Sequence, residues 1–156
     1  KENVLHLALR HKASVDVISY LLEKQPKSIK ERGVMFKIPL HQACTYLAPI
    51  EVVSLLVERW PDALKKKAIL GNTPLHLACM HQAPLAVVSL LVDRWPDALK
   101  VRNTRRCTPL HLACENHAPL SVVSLLLEHW PDALKEKEKR KNCTPLHSAI
   151  VHQAPL

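Results

Sequence analysis

Glycine is nearly absent: Gly33 and Gly71 are the only two in 156 residues, against twelve prolines. Helix starts and turns must therefore be set mainly by proline, with few left-handed glycine caps. Long apolar runs are missing as well. None approaches the roughly 18 residues that a membrane-crossing helix needs. No targeting peptide is visible, because Lys1-Glu2-Asn3-Val4-Leu5-His6 already lies inside a repeated pattern. Five cysteines is an odd count, and Cys44, Cys79 and Cys114 fall at one repeat position. That pattern fits small buried residues in a reducing, intracellular setting (cytoplasmic or nuclear) rather than a disulfide framework.

What the chain has is periodicity. Leu5-His6, Leu40-His41, Leu75-His76, Leu110-His111 and Leu146-His147 recur with histidines 35, 35, 35 and 36 residues apart. A period of this size marks a repeat array, in which each unit buries its apolar face only against its neighbours. Approximate units run over 1–37, 38–72, 73–107, 108–143 and a partial 144–156, so the chain reads as an excerpt of a longer protein.

The third unit shows the pattern. Thr73 is a good N-cap and Pro74 suits the first helical position. Leu75, Ala78 and Cys79 then form one apolar stripe at i, i+3 and i+4. His81-Gln82-Ala83 is a connection, and Pro84 starts a second helix by the same device. Val87, Val88, Leu90, Leu91 and Val92 give that helix a face too wide for an exposed position. Trp95-Pro96-Asp97 ends it, because proline disfavours the α conformation at the residue before it. A basic stretch of about a dozen residues leads to the next Thr-Pro. The predicted architecture is all-α, with four helix pairs and a partial fifth.

Thr73-Pro74-Leu75-His76-Leu77-Ala78-Cys79 and Thr108-Pro109-Leu110-His111-Leu112-Ala113-Cys114 resemble the Thr-Pro-Leu-His-x-Ala-Ala signature of ankyrin repeats. The Val-Val-x-Leu-Leu of the second helix agrees as well. The resemblance covers the whole chain and implies an ankyrin-type helix-pair solenoid. The period is 35 residues where that family has 33, and both of the family's usual glycines are gone. A tetratricopeptide array has a similar period, but its Trp, Gly and Tyr pattern is absent.

His41-x-x-Cys44, His76-x-x-Cys79 and His111-x-x-Cys114 look like half of a zinc site. They sit on separate units, where the resemblance implies that each histidine bonds to a threonine hydroxyl and backbone. No metal, cofactor or catalytic residue is expected. Trp60, Trp95 and Trp130 form a ladder that packing between units accounts for. It ends at Gln25, the equivalent position of the first unit.

Charge is the main functional signal. The segments 26–38, 61–72, 96–107 and 131–143 hold sixteen of the 22 Lys and Arg residues and only six acids. That is a local excess of ten charges, while the rest of the chain is net negative by two. The resemblance makes these segments fingers that fringe a concave surface. It also places partner contacts just before each Thr-Pro and just after each Ala-Cys. Those positions are Val34, Met35, Lys37, Thr45 and Tyr46, then Ile69, Leu70, Asn72, Met80 and His81. The next are Thr104, Arg105, Cys107, Glu115 and Asn116, then Arg140, Lys141, Cys143, Val151 and His152.

This surface is apolar near residues 34–80 and basic toward the C-terminus. The expected function is non-catalytic binding of a protein partner with acidic and apolar segments. Two alternatives stay open: electrostatic binding of nucleic acid or an anionic surface, and substrate recruitment within a larger enzyme. A monomer is expected, with end-to-end association through the partial last unit as a further route.

Overall fold

The computed structural model describes residues 2–139 and 142–153, with the side chains of His152 and Gln153 left aside. Among the described residues it contains nine α-helices and no strand. Inner helices are α1 (Val4–Arg10), α3 (Pro39–Thr45), α5 (Pro74–Met80), α7 (Pro109–Glu115) and α9 (Pro145–Gln153). Outer helices are α2 (Val15–Lys24), α4 (Ile50–Arg59), α6 (Leu85–Arg94) and α8 (Leu120–His129). Each inner helix packs on the next inner one and each outer helix on the next outer one, which gives two stacked layers.

Helices α5 and α7 start as the sequence predicts, with Thr73 or Thr108 at the N-cap and proline at the first helical position; Asn3 caps α1 and Ile38 precedes Pro39 in α3. Their ends are built without glycine. Lys12, Leu47, Gln82 and His117 adopt left-handed φ of 55–57° just past α1, α3, α5 and α7. The next N–H then reaches back to the helix, as in Ala83 N–H to the Ala78 carbonyl at 2.9 Å, and the same bond closes at Ala13, Ala48 and Ala118. This is the Schellman ending, held here by ordinary side chains.

The outer helices correct one detail. Pro49, Pro84 and Pro119 are N-cap residues with ψ of 145–153°, so each helix begins one residue later. The ring supplies the φ that an extended N-cap needs, and the proline carbonyl accepts the first helical bonds, for example from Val88 N–H at 3.2 Å. The Trp-Pro ending holds: Trp60, Trp95 and Trp130 cap α4, α6 and α8. Each following proline opens a 3₁₀ turn, at Pro61–Lys65, Pro96–Lys100 and Pro131–Lys135.

The core is continuous along the stack. Leu40, Leu75 and Leu110 are buried in successive inner helices, as are Val52, Val87 and Val122 and then Leu56, Leu91 and Leu126 in the outer ones. Ala43, Ala78 and Ala113 are fully buried, where only a methyl group separates the layers. The predicted stripe of α5 is buried, and burial extends further, to Leu77. The three tryptophans are half-buried against this core, and Lys30 and Lys66 lie over the Trp60 ring at 5.9 and 5.7 Å. That geometry gives the ladder a packing role with a cation–π contribution.

Candidate functional site

Between each 3₁₀ turn and the next inner helix the chain makes a narrow loop. Its base is closed by backbone bonds from Gly33 to Lys37 (2.8 Å), Ala68 to Asn72 (2.9 Å), Asn103 to Cys107 (3.0 Å) and Glu138 to Cys143 (2.9 Å). These are the four fingers. A buried histidine holds each one to the helix behind it. Thr73 donates its backbone N–H to His76 Nδ1 at 3.3 Å, and its hydroxyl lies 2.8 Å from the same nitrogen. That leaves Nε2 to donate to the Cys107 carbonyl at 3.1 Å. His111 does the same toward Cys143, and His6 Nε2 bonds to the Lys37 carbonyl at 3.0 Å. His41, capped by Ile38 instead of threonine, reaches Lys66 at 3.1 Å.

With both ring nitrogens in use, these histidines are structural clamps. The thiols beside them are also disarmed. Burial pushes Cys44 up to about 12 and Cys79 well above the ordinary thiol range, so neither supplies a thiolate nucleophile near neutral pH.

The finger tips change character along the stack. Val34, Met35 and Phe36 on the first are exposed by 54–62%, and Ile69 and Leu70 on the second by 44% and 54%. The third carries Thr104 and Arg106, both exposed, and half-buried Arg105. Backbone bonds zip the later fingers together, Thr104 N–H to the Leu70 carbonyl at 2.9 Å and Lys139 N–H to the Arg105 carbonyl at 2.8 Å. Among the described residues no such bond joins the first finger to the second.

Beneath the fingers, the C-terminal ends of the inner helices present Thr45 and Tyr46, Met80 and His81, then Glu115 and Asn116, all half-buried. Met80 packs partly against the core. Arg10 donates to the Tyr46 hydroxyl at 3.3 Å and pairs with Glu2 at 3.2 Å.

Two predicted contact residues are corrected. Asn72 and Cys107 are buried, at 4% and 2% exposure. Asn72 accepts from Asn103 Nδ2 at 2.9 Å, between neighbouring fingers, and the Cys107 carbonyl is the acceptor for His76. The finger base faces the clamp, so these positions serve the fold. Cys143 is half-buried at the same base, while Val151 on α9 is exposed. Arg140, Lys141 and the His152 side chain lie outside the described residues.

The expected basic C-terminal end is partly neutralised from within. Arg105 pairs with Glu115 at 2.5 Å and Arg102 with Glu136. One exposed residue escaped the sequence reading: Phe36 is the most exposed of the first-finger apolar residues. Its signal was the run Val34-Met35-Phe36, three apolar residues in an otherwise basic connector.

A family model described as ankyrin repeats (3 copies) matches residues 40–133 and 75–155. No curated protein gives a significant match to the sequence. The period, the Thr-Pro-Leu-His helix starts, the stacked helix pairs and the match over most of the length agree: this chain belongs to the ankyrin-repeat family.

Proposed function

We propose that the chain binds an extended protein segment along its concave side, without catalysis, through an apolar anchor at the first two fingers and acidic residues further along. Ankyrin-repeat arrays are generally protein-interaction modules and typically non-catalytic. The observation that carries the reading is the gradient along the fingers, from exposed Val34-Met35-Phe36 and Ile69-Leu70 to exposed Arg106 on the third and Lys139 on the fourth.

Clustered exposed apolar side chains rimmed by charge are the usual make-up of a protein-binding patch. The stacked helices and histidine clamps hold the fingers in place before binding, which lowers the ordering cost. The buried cysteines and fully bonded histidines support a role without chemistry. Val34, Met35, Phe36, Lys37, Thr45, Tyr46, Ile69, Leu70, Met80, His81, Thr104, Arg105, Glu115 and Asn116 are the proposed contact residues.

Peptides selected from a random display library on the intact chain test this. The expected peptides combine large apolar residues with Asp or Glu. Their binding should survive added salt and fall when Met35 and Phe36 are both changed to Ser. Retention only of single-stranded DNA, with affinity falling steeply as salt rises, would instead favour the electrostatic reading.

A further inference from the structure

We infer that Lys37, held in place by Thr45, forms a subsite for one carboxylate side chain of the partner, a refinement that rests on the protein-binding reading above. Lys37 is half-buried at the base of the first finger, and its Nζ donates to Thr45 Oγ1 at 3.0 Å. Its backbone carbonyl is fixed by His6, so the side chain leaves an anchored point. Among the described residues, no carboxylate oxygen lies within ion-pair distance of this ammonium. Two other cations near the inner-helix ends are matched: Arg10 by Glu2 and Arg105 by Glu115. Glu2 is already shared between Arg10 and Gln42, which donates to it at 3.3 Å.

The molecule contains its own precedent. Glu115, at the end of α7, closes the space between helix and finger by pairing with Arg105. At the preceding units the position of Glu115 is held by Met80 and Thr45. At Thr45 the finger cation Lys37 faces the helix end, and Glu2, the acid whose charge reaches it, is engaged by Arg10 and Gln42. Burial lowers Lys37 from its ordinary value; Glu2 nearby works against this and Arg10 adds to it.

A partly desolvated cation gains from a carboxylate that reaches it with direct hydrogen bonds. Met35 and Leu70, both more than half exposed at the adjoining tips, call for a large apolar residue next to that carboxylate.

The probe is the tightest acidic peptide obtained by display selection on the intact chain, together with the same peptide carrying the carboxamide in place of each acid in turn. Lys37→Met should weaken binding about tenfold, as should one of the carboxamide changes. The two losses should not add when combined, because they break the same contact. Thr45→Glu supplies a carboxylate from the chain itself, as Glu115 does for Arg105. It should weaken the peptide by a similar factor while the melting temperature holds.

Additive losses, or unchanged binding to the Thr45→Glu protein, would overturn the subsite and leave the protein-binding reading standing. Retention of no peptide at all would remove both. Circular dichroism melts confirm that each variant is folded.

Discussion

His76 Nε2 donates to the carbonyl oxygen of Cys107, 31 residues further along the chain, at 3.1 Å. The bond joins an inner helix to the next finger, and it requires the neutral imidazole because Nδ1 accepts from Thr73. Stability should therefore depend on acid. Burial lowers His41 and His76 from 6.5 to about 4. The folded state thus holds fewer protons than the unfolded state between those values. Stability is full above about pH 6.5 and is lost as the pH falls toward 4. At 1.36 kcal/mol per unit, each histidine should withdraw roughly 3 kcal/mol across that window. Urea titrations at a series of pH values check this, and a profile flat over the whole window would contradict it.

Leu75→Ala should destabilise the fold by roughly 2–5 kcal/mol, because the side chain is 2% exposed in a closely packed layer. Met80→Ala should cost clearly less, about 1 kcal/mol, since Met80 is only half-buried at the open end of the same helix. Equal shifts in urea midpoints would mean that the inner helix faces are wrongly assigned.

The first finger should show opposite responses at two of its residues. A Cβ on Gly33 would stand 2.9 Å from His6 Cδ2, and His6 is pinned between Asn3 Oδ1 at 2.6 Å and the Lys37 carbonyl. Gly33→Ala should cost about 1–3 kcal/mol by that clash. Phe36, at φ 57° and 62% exposed, holds a left-handed conformation where the next unit has Gly71. Phe36→Gly should leave stability level or raise it by up to about 1 kcal/mol, while peptide binding weakens. Thermal melts read the first effect and peptide titration the second.

The last helix should open before the rest. Leu146 and Ile150 on α9 are 60% and 62% exposed, although Leu110, the counterpart of Leu146, is only 2% exposed. Each unit of a solenoid draws stability from its neighbours. Amide hydrogens of residues 147–153 should therefore exchange much faster than those of 88–94 in α6. Equal protection in a demonstrated monomer would show that another contact covers this face.

The 35-residue period, the helix pairs, their Thr-Pro starts and Trp-Pro stops, and the Leu75-Ala78-Cys79 stripe were all legible in the sequence by itself. The period shows as one phrase recurring along the chain, and the rest depend on residues within about one helical turn, where caps, proline geometry and apolar spacing act locally. Tertiary structure decided what lies between units. Left-handed Leu47 and Gln82 replace glycine because a Schellman ending must bring the chain back to the second helix. Asn72 and Cys107 turn inward because finger and clamp meet there, and Arg105 is neutralised by a glutamate ten residues away on another element. Lys37 meets Thr45 across the same kind of gap. Such contacts follow from how neighbouring units are set against one another, and local residue patterns do not encode that placement.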